Sequence, residues 1–268
     1  MAFAANSVFC RWALGEASID PASFTAIRLL SGTVILVVLV ALANARPSKL
    51  LSSGSWLGAL MLFIYAAAFS FAYVHLTAAT GALVLFGSVQ ICMFGISVYR
   101  GTTLSIMQWS GLITAFMGLM VLLIPDVAAP SLLGFVLMTL SGFAWGVYSL
   151  LGQTSQAPLL STGANFCRTL PFVSLLLIFT FDNATITQKG VLLAMGSGGL
   201  ASAIGYAIWY KVLPHLQAAT AATSQLTVPL ITALGGVVFI SESITLTLIA
   251  ASVLTLGGIY IVIKGKKA

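Results

Sequence analysis

Runs of about twenty apolar residues, broken where Pro, Gly and charge gather, are the feature that most limits what this chain can become. Of its 268 residues, 60% are hydrophobic and only 6% are charged, against roughly 25% charged in an ordinary soluble domain. So few polar side chains cannot cover a wet surface of this size, and the apolar excess must face lipid. In hydrocarbon every backbone N–H and C=O needs an internal partner, which leaves helices and closed barrels. Barrel strands would read as alternating segments of roughly ten residues. The runs here are continuous and twice that length, so the chain reads as an all-α membrane protein. The breaks predict ten helices, over 1–14, 22–43, 56–76, 78–98, 104–124, 132–152, 162–180, 190–209, 216–240 and 245–264. The first is short: about 14 residues rise roughly 21 Å, less than the ~30 Å hydrocarbon core. The expectation is a first span whose start is truncated. No basic opening of a cleavable signal peptide precedes it.

Ten spans place both ends of the chain on one side. Alternate connections then collect Arg46, Lys49, Arg100, Lys211, Lys264, Lys266 and Lys267 there, with no acidic residue. The other connections hold Glu16, Asp20, Asp126, Asp182 and Glu242, with Lys189 as their one basic residue. The positive-inside rule assigns the basic side to the cytoplasm. The expected setting is a bacterial cytoplasmic (inner) membrane, crossed many times, with both termini cytoplasmic and the lipid bilayer as constant partner. The net charge of +6 is thus an orientation signal, and nucleic acid is not an expected partner.

The chain also repeats itself. His75-Leu76-Thr77-Ala78-Ala79-Thr80 returns 140 residues later as His215-Leu216-Gln217-Ala218-Ala219-Thr220. Gly118 and Gly258, and Arg28 and Arg168, stand at the same offset. The spacing predicts two five-helix units, 1–124 and 132–264. Five is odd, so the copies would lie upside down relative to one another. Inverted repeats are a physical basis of alternating access, because the halves can exchange conformations.

The second unit reads Trp209-Tyr210, Leu213-Pro214-His215-Leu216-Gln217-Ala218-Ala219-Thr220, Pro229, Gly235-Gly236, Ser241-Glu242-Ser243 and Gly257-Gly258. In its run of small residues, mid-helix Pro, Gly and terminal Glu it resembles the EamA-type transporters of the drug/metabolite transporter superfamily. The resemblance covers nearly the whole chain, with the break near 125–130. It implies ten helices, two repeats, cytoplasmic termini, and transport, often export, of amino acids, metabolites or toxic compounds. The first unit departs from the pattern twice. It lacks the Trp-Gly pair expected before Asn6, and it has Tyr99-Arg100-Gly101-Thr102 where a Gly-Glu pair is common.

A carrier's site is expected near the bilayer midplane, between the repeats. That depth selects Asn6, Tyr65, Phe69, Phe86, Ser88, Gln90, Trp145, Tyr148, Tyr206, Ser224 and Gln225. Gln90 and Gln225 interrupt apolar stretches and should face inward, where they would bind solute or join helices. Trp145 and Tyr148, and Tyr65, Phe69 and Tyr73, fall at helical spacing and offer aromatic walls or ordinary packing. Pro229 and Pro171 are expected hinges, each lacking an N–H. Arg28 and Arg168 could grip a carboxylate or phosphate, but these two and Arg11 all lie within reach of an interface, which favours snorkelling or pairing with helix C-terminal carbonyls. Gly196, Gly198, Gly199, Ala201, Ser202 and Gly205 give the eighth span a smooth face for close packing or sliding.

Other chemistry is not expected. Cys10, Cys92 and Cys167 lie in apolar segments at unrelated spacings, with neither a metal motif nor a disulfide framework. There is no P-loop, no acid deep in a span, and no clustered acid–base set. The chain therefore reads as no enzyme, with no cofactor or metal. Proton coupling would have to use Glu16, Glu242, His75 or His215. The leading expectation is a secondary transporter or facilitator exporting a small organic solute such as an amino acid. The alternatives are a carrier of sugar phosphates or nucleotide-sugars, which needs clustered basic residues in its cavity, and a passive channel. Small-residue faces at Gly111, Ala115, Gly118 and at Gly257, Gly258 would pack within a protomer or join a homodimer.

Overall fold

The computed structural model describes residues 1–43, 50, 52–101, 103–123, 131–153, 155–180, 182, 184–212, 225 and 227–265. Secondary structure among them is helical, apart from a single bridge between Ile19 and Ile186. The order is α1 (Ala2–Gly15), α2 (Pro21–Leu42), α3 (Trp56–Tyr73), α4 (Ala78–Tyr99), α5 (Ile106–Val121), α6 (Leu132–Gln153) and α7 (Pro158–Thr180). An eighth span runs from α8 (Gln188–Met195) through a π-helical stretch, Gly196–Ile204, into α9 (Gly205–Val212). Helices α10 (Thr227–Ile240) and α11 (Leu246–Lys264) follow. Seven of these segments are long and apolar enough to cross a bilayer, and α5 and α10 are shorter apolar helices. A 22-residue helix such as α2 or α4 rises about 33 Å, matching the hydrocarbon thickness.

The helix starts follow from local chemistry. A hydroxyl or carboxylate accepts from the free N–H groups of the first turn: Asp20 for α2, Ser55 for α3, Thr77 for α4, Thr187 for α8 and Thr245 for α11. Ser105 and Gln108 close a reciprocal capping box on α5. The seventh helix begins at Pro158 rather than near 162. Proline has no N–H to lose and its fixed φ suits the first helical position, so here it opens the helix instead of breaking it. Pro171 sits inside α7 without ending it and faces outward. Pro229 is buried in the first turn of α10. Of the predicted ninth span, 216–240, the residues 216–224 and 226 lie outside the described ones, and Ser224 with them.

Packing is reciprocal. Helix α3 packs on α6, and the eighth span packs on α1; α4 packs on α6, and α10 on α1; α2 meets α7, and α5 meets α11. The last pair is the tightest seam. A Cβ on Gly258 would stand 2.4 Å from Ala115 N and 2.6 Å from Gly111 O, so only glycine lets these backbones approach. Thr255 Oγ1 donates to Ala115 O at 3.5 Å across the same seam.

One end of the bundle gathers acidic side chains and is stapled shut. Arg11 Nε donates to Glu242 Oε1 at 2.9 Å, and Ala78 N donates to Glu242 Oε2 at 2.8 Å. Arg11 Nη1 also donates to Tyr73 O at 3.0 Å. One carboxylate thereby joins α1, the start of α4 and the α10–α11 turn. Beside it, Lys189 pairs with Glu16 and lies 5.0 Å above the Trp12 ring. Asp20 N donates to Thr185 O at 2.9 Å and its carboxylate accepts from Thr185 N at 3.0 Å. At the opposite end the α2–α3 and α6–α7 connections enclose a cavity of about 440 Å³ with Ser55, Ser155, Gln156, Thr162 and Asn165 on its walls.

Candidate functional site

Arg28 is the centre of the molecule's polar interior. It lies in α2, is 1% exposed, and points into the bundle. The expectation that it snorkels to the interface is therefore corrected. The cause is close packing: a Cβ on Gly198 would meet Arg28 O at 2.1 Å. The π-helical stretch thus presses against α2 and leaves the arginine stem no outward path.

The guanidinium is held by neutral groups. Nε donates to Ser202 Oγ at 3.2 Å, and Nη2 donates to Tyr65 OH at 3.0 Å and Tyr206 OH at 3.4 Å. It also lies 5.0 Å from the Tyr65 ring centre and 4.9 Å from that of Phe69, where the ring quadrupoles attract a cation. Nη1 is buried and has no hydrogen-bond partner. Glu16, Asp20, Asp182 and Glu242 lie outside the helical spans. Among the described residues Arg28 has no carboxylate counter-ion.

Around it the rings form a continuous wall. Trp145 lies 4.9 Å from Tyr65, 4.8 Å from Tyr206 and 5.6 Å from Tyr148. Phe3 packs on Trp145 and Tyr206 at 5.8 and 5.9 Å, and Phe166 closes on Tyr206 at 5.9 Å. Asn6 links α3 to the π-helical stretch: its Nδ2 donates to Tyr65 OH at 3.2 Å and its Oδ1 accepts from Ser197 Oγ. Ser197 and Ser202 are five residues apart. In an α-helix they would point apart, but i→i+5 bonding brings them onto one face. The π-helical stretch is thus what offers Ser197 to Asn6 and Ser202 to Arg28.

The structure brings Asn6, Tyr65, Phe69, Trp145, Tyr148, Tyr206 and Arg28 into this one cluster. Phe86 joins them across a void of about 10 Å³ shared with Asn6, Tyr65, Phe69 and Trp145, about the room needed for one water. The cage is closed around itself. Ser88 and Gln90 are buried on α4, but Ser88 turns toward α6, where a Cβ on Gly142 would come within 2.7 Å of it. Gln225 is buried, with Oε1 lacking a partner. Arg168 lies apart from the cage. Its Nη1 donates to Ser53 O and it stands 5.8 Å from the Trp56 ring, near the basic end. The sequence reading missed Phe3, Phe166 and Ser197, gave Ser202 only a packing role, and missed the Arg11–Glu242 pair. Among the described residues no group of His, Cys, Asp and Glu could hold a metal.

A second cavity, about 650 Å³, opens sideways between α1 and α10 and is lined by Val8, Phe9, Trp12, Leu234, Val238 and Phe239. Its walls are apolar and continuous with exposed residues such as Val238 and Phe239, as suits a surface wetted by lipid chains.

Residues 132–264 match the EamA-like transporter family. An uncharacterized protein of Pseudomonas aeruginosa is 44% identical over 98% of this chain and 91% of its own length. An uncharacterized transporter of Archaeoglobus fulgidus is 23% identical, covering 92% of this chain and 90% of that protein. A crystal structure of similar fold superposes with a TM-score of 0.70 at 18% identity, over 97% of this chain and 95% of that one.

Proposed function

Because this chain belongs to the EamA-like transporter family, we propose that it is a secondary carrier that exports a small organic solute by alternating access through the cage around Arg28. That it is a multi-pass membrane transporter follows from the family and the apolar helices. The observation that carries it is a polar, aromatic cage built jointly by residues of 1–124 (Asn6, Arg28, Tyr65) and of 132–264 (Trp145, Ser202, Tyr206), stapled at one end and hollow at the other.

The two ends use corresponding elements. At the acidic end the α1–α2 and α7–α8 connections are joined by the Asp20 and Thr185 hydrogen bonds. At the basic end the α6–α7 and α2–α3 connections, which stand in the same relation in an inverted duplicate, enclose the 440 Å³ cavity. One state of an alternating-access carrier has this asymmetry. The reciprocal helix packing, and a family match that coincides with one proposed unit, support the duplication. With the acidic end outside, as the positive-inside rule directs, the molecule is closed outward and receives solute from the cytoplasm.

The alternatives fare less well. A carrier of phosphorylated sugars wants several cations in its cavity, and the cage holds one, with Arg168 elsewhere. A channel wants a continuous path, and the cage is closed. Counterflow in proteoliposomes tests the reading: a carrier preloaded with its solute accelerates uptake of labelled solute, whereas a channel shows no such acceleration. Flux indifferent to preloading would remove it.

A further inference from the structure

The structure assigns to Arg28 the recognition of a carboxylate on the transported solute, with Nη1 as its free donor; this rests on the carrier reading given above. A buried cation without a counter-ion is costly in a low-dielectric interior. The hydroxyls of Ser202, Tyr65 and Tyr206 satisfy Nε and Nη2, and two ring faces attract the charge. None of these neutralises it. Nη1 is buried and stays without a hydrogen bond. A structural arginine would be paired, as Arg11 is with Glu242. Among the described residues no carboxylate pairs with Arg28. A carboxylate on the solute supplies the missing group.

Geometry and charge narrow its chemistry. A guanidinium edge offers parallel N–H donors that fit a planar carboxylate. One cation balances one anion, which favours a monocarboxylate over a phosphate dianion, since Arg11 and Arg168 are engaged away from the cage. The Trp145, Tyr206, Phe3 and Phe86 rings close on a void of about 10 Å³ in this state; parted to admit the solute, they would offer its remainder an apolar surround. A loaded cage holds a neutral pair and an empty one a bare cation. The loaded carrier therefore crosses its occluded state more readily, and the protein should favour exchange over net flux.

The experiment uses the purified full chain in proteoliposomes, with phenylacetate, butyrate, phenylacetamide and phenyl phosphate as probes. Counterflow and the rise in melting temperature on adding each probe are both read, for wild type, Arg28→Lys and Arg28→Gln. Expected is counterflow with one or both carboxylates, and a melting temperature raised by that carboxylate and unmoved by phenylacetamide. Arg28→Lys, which keeps the charge but loses the fork, should weaken the effective carboxylate at least threefold. Arg28→Gln should weaken it at least tenfold. If Arg28→Gln does not fold, the Arg28→Lys loss and the wild-type contrast between phenylacetate and its amide decide the matter. Counterflow of phenylacetamide, or of a carboxylate equally well with Arg28→Lys, overturns the carboxylate assignment and leaves the carrier standing. Preference for phenyl phosphate overturns it in favour of a dianion. Flux of these probes that ignores preloading overturns the carrier reading as well.

Discussion

Tyr65 joins more of the cage than any neighbour. Its hydroxyl accepts from Asn6 Nδ2 and Arg28 Nη2, its ring lies against Trp145 and Phe69, and its backbone oxygen accepts from Ser141. Tyr65→Phe keeps the ring, takes the acceptor from Asn6 Nδ2 and leaves Arg28 Nη2 only its longer bond to Tyr206. The expected loss is about 1–3 kcal/mol of unfolding free energy, measured by reversible denaturation in detergent, with weaker solute binding alongside. Gly198→Ala acts through sterics, since its Cβ would stand 2.1 Å from Arg28 O. Forcing α2 off the π-helical stretch should cost roughly 1–3 kcal/mol and displace the guanidinium, so binding should fall even where the fold survives. The sequence showed at this scale that Arg28 is a charge among apolar neighbours and the default functional suspicion in a membrane. It could not show which way the side chain turns. Depth along a helix leaves both outcomes open, and a contact 170 positions away at Gly198 settles it.

At the scale of elements, most spans were legible because continuous apolarity and capping residues mark a transmembrane helix directly. The π-helical stretch was not, since a run of small residues carries no mark of which carbonyl each N–H will choose. The latch between α1 and the α10–α11 turn was hidden for another reason: Arg11 and Glu242 lie 231 positions apart. Glu242→Gln keeps the shape and removes the charge. The acidic end should then open more often, raising the labelling rate of a cysteine placed at the buried Ala13 several-fold, while affinity at the proposed site is little changed. The neighbouring pair adds a pH term. Lys189 donates to the Glu16 carboxylate and holds it below its ordinary value of 4.5. The folded chain therefore binds fewer protons at this group than the unfolded one, so its contribution is present above that value and fades as pH falls through the lowered one. Labelling at Ala13 should rise in acid below about 4.5, and Lys189→Met should remove that acid-dependent rise. High salt should blunt the effect in the wild type, as both partners are about half exposed.

For the whole molecule, the proposed inverted duplication makes a simple demand: cysteines engineered at positions 1 and 268 must label from the same side of the membrane, opposite a cysteine at Ala17. Labelling of the two ends from opposite sides would undo the inversion. The proposed repeat rests on a 140-residue offset in a few residues, and the cage is not symmetric about it. Arg28 and Arg168 match in sequence, but one is sealed inside and the other holds a loop at the basic end. The latch is equally one-sided. At the same offset from Arg11 and Glu242 stand Leu151 and Thr102, so the sequence supplies no charged pair to fasten the basic end. A carrier weighted in this way waits with one face ready, and solute arriving at the other face meets only the small fraction of molecules facing it. Half-saturation should therefore differ between the two sides of the membrane, while the final concentration ratio, fixed by whatever free energy is coupled to the cycle, stays beyond the latch's reach.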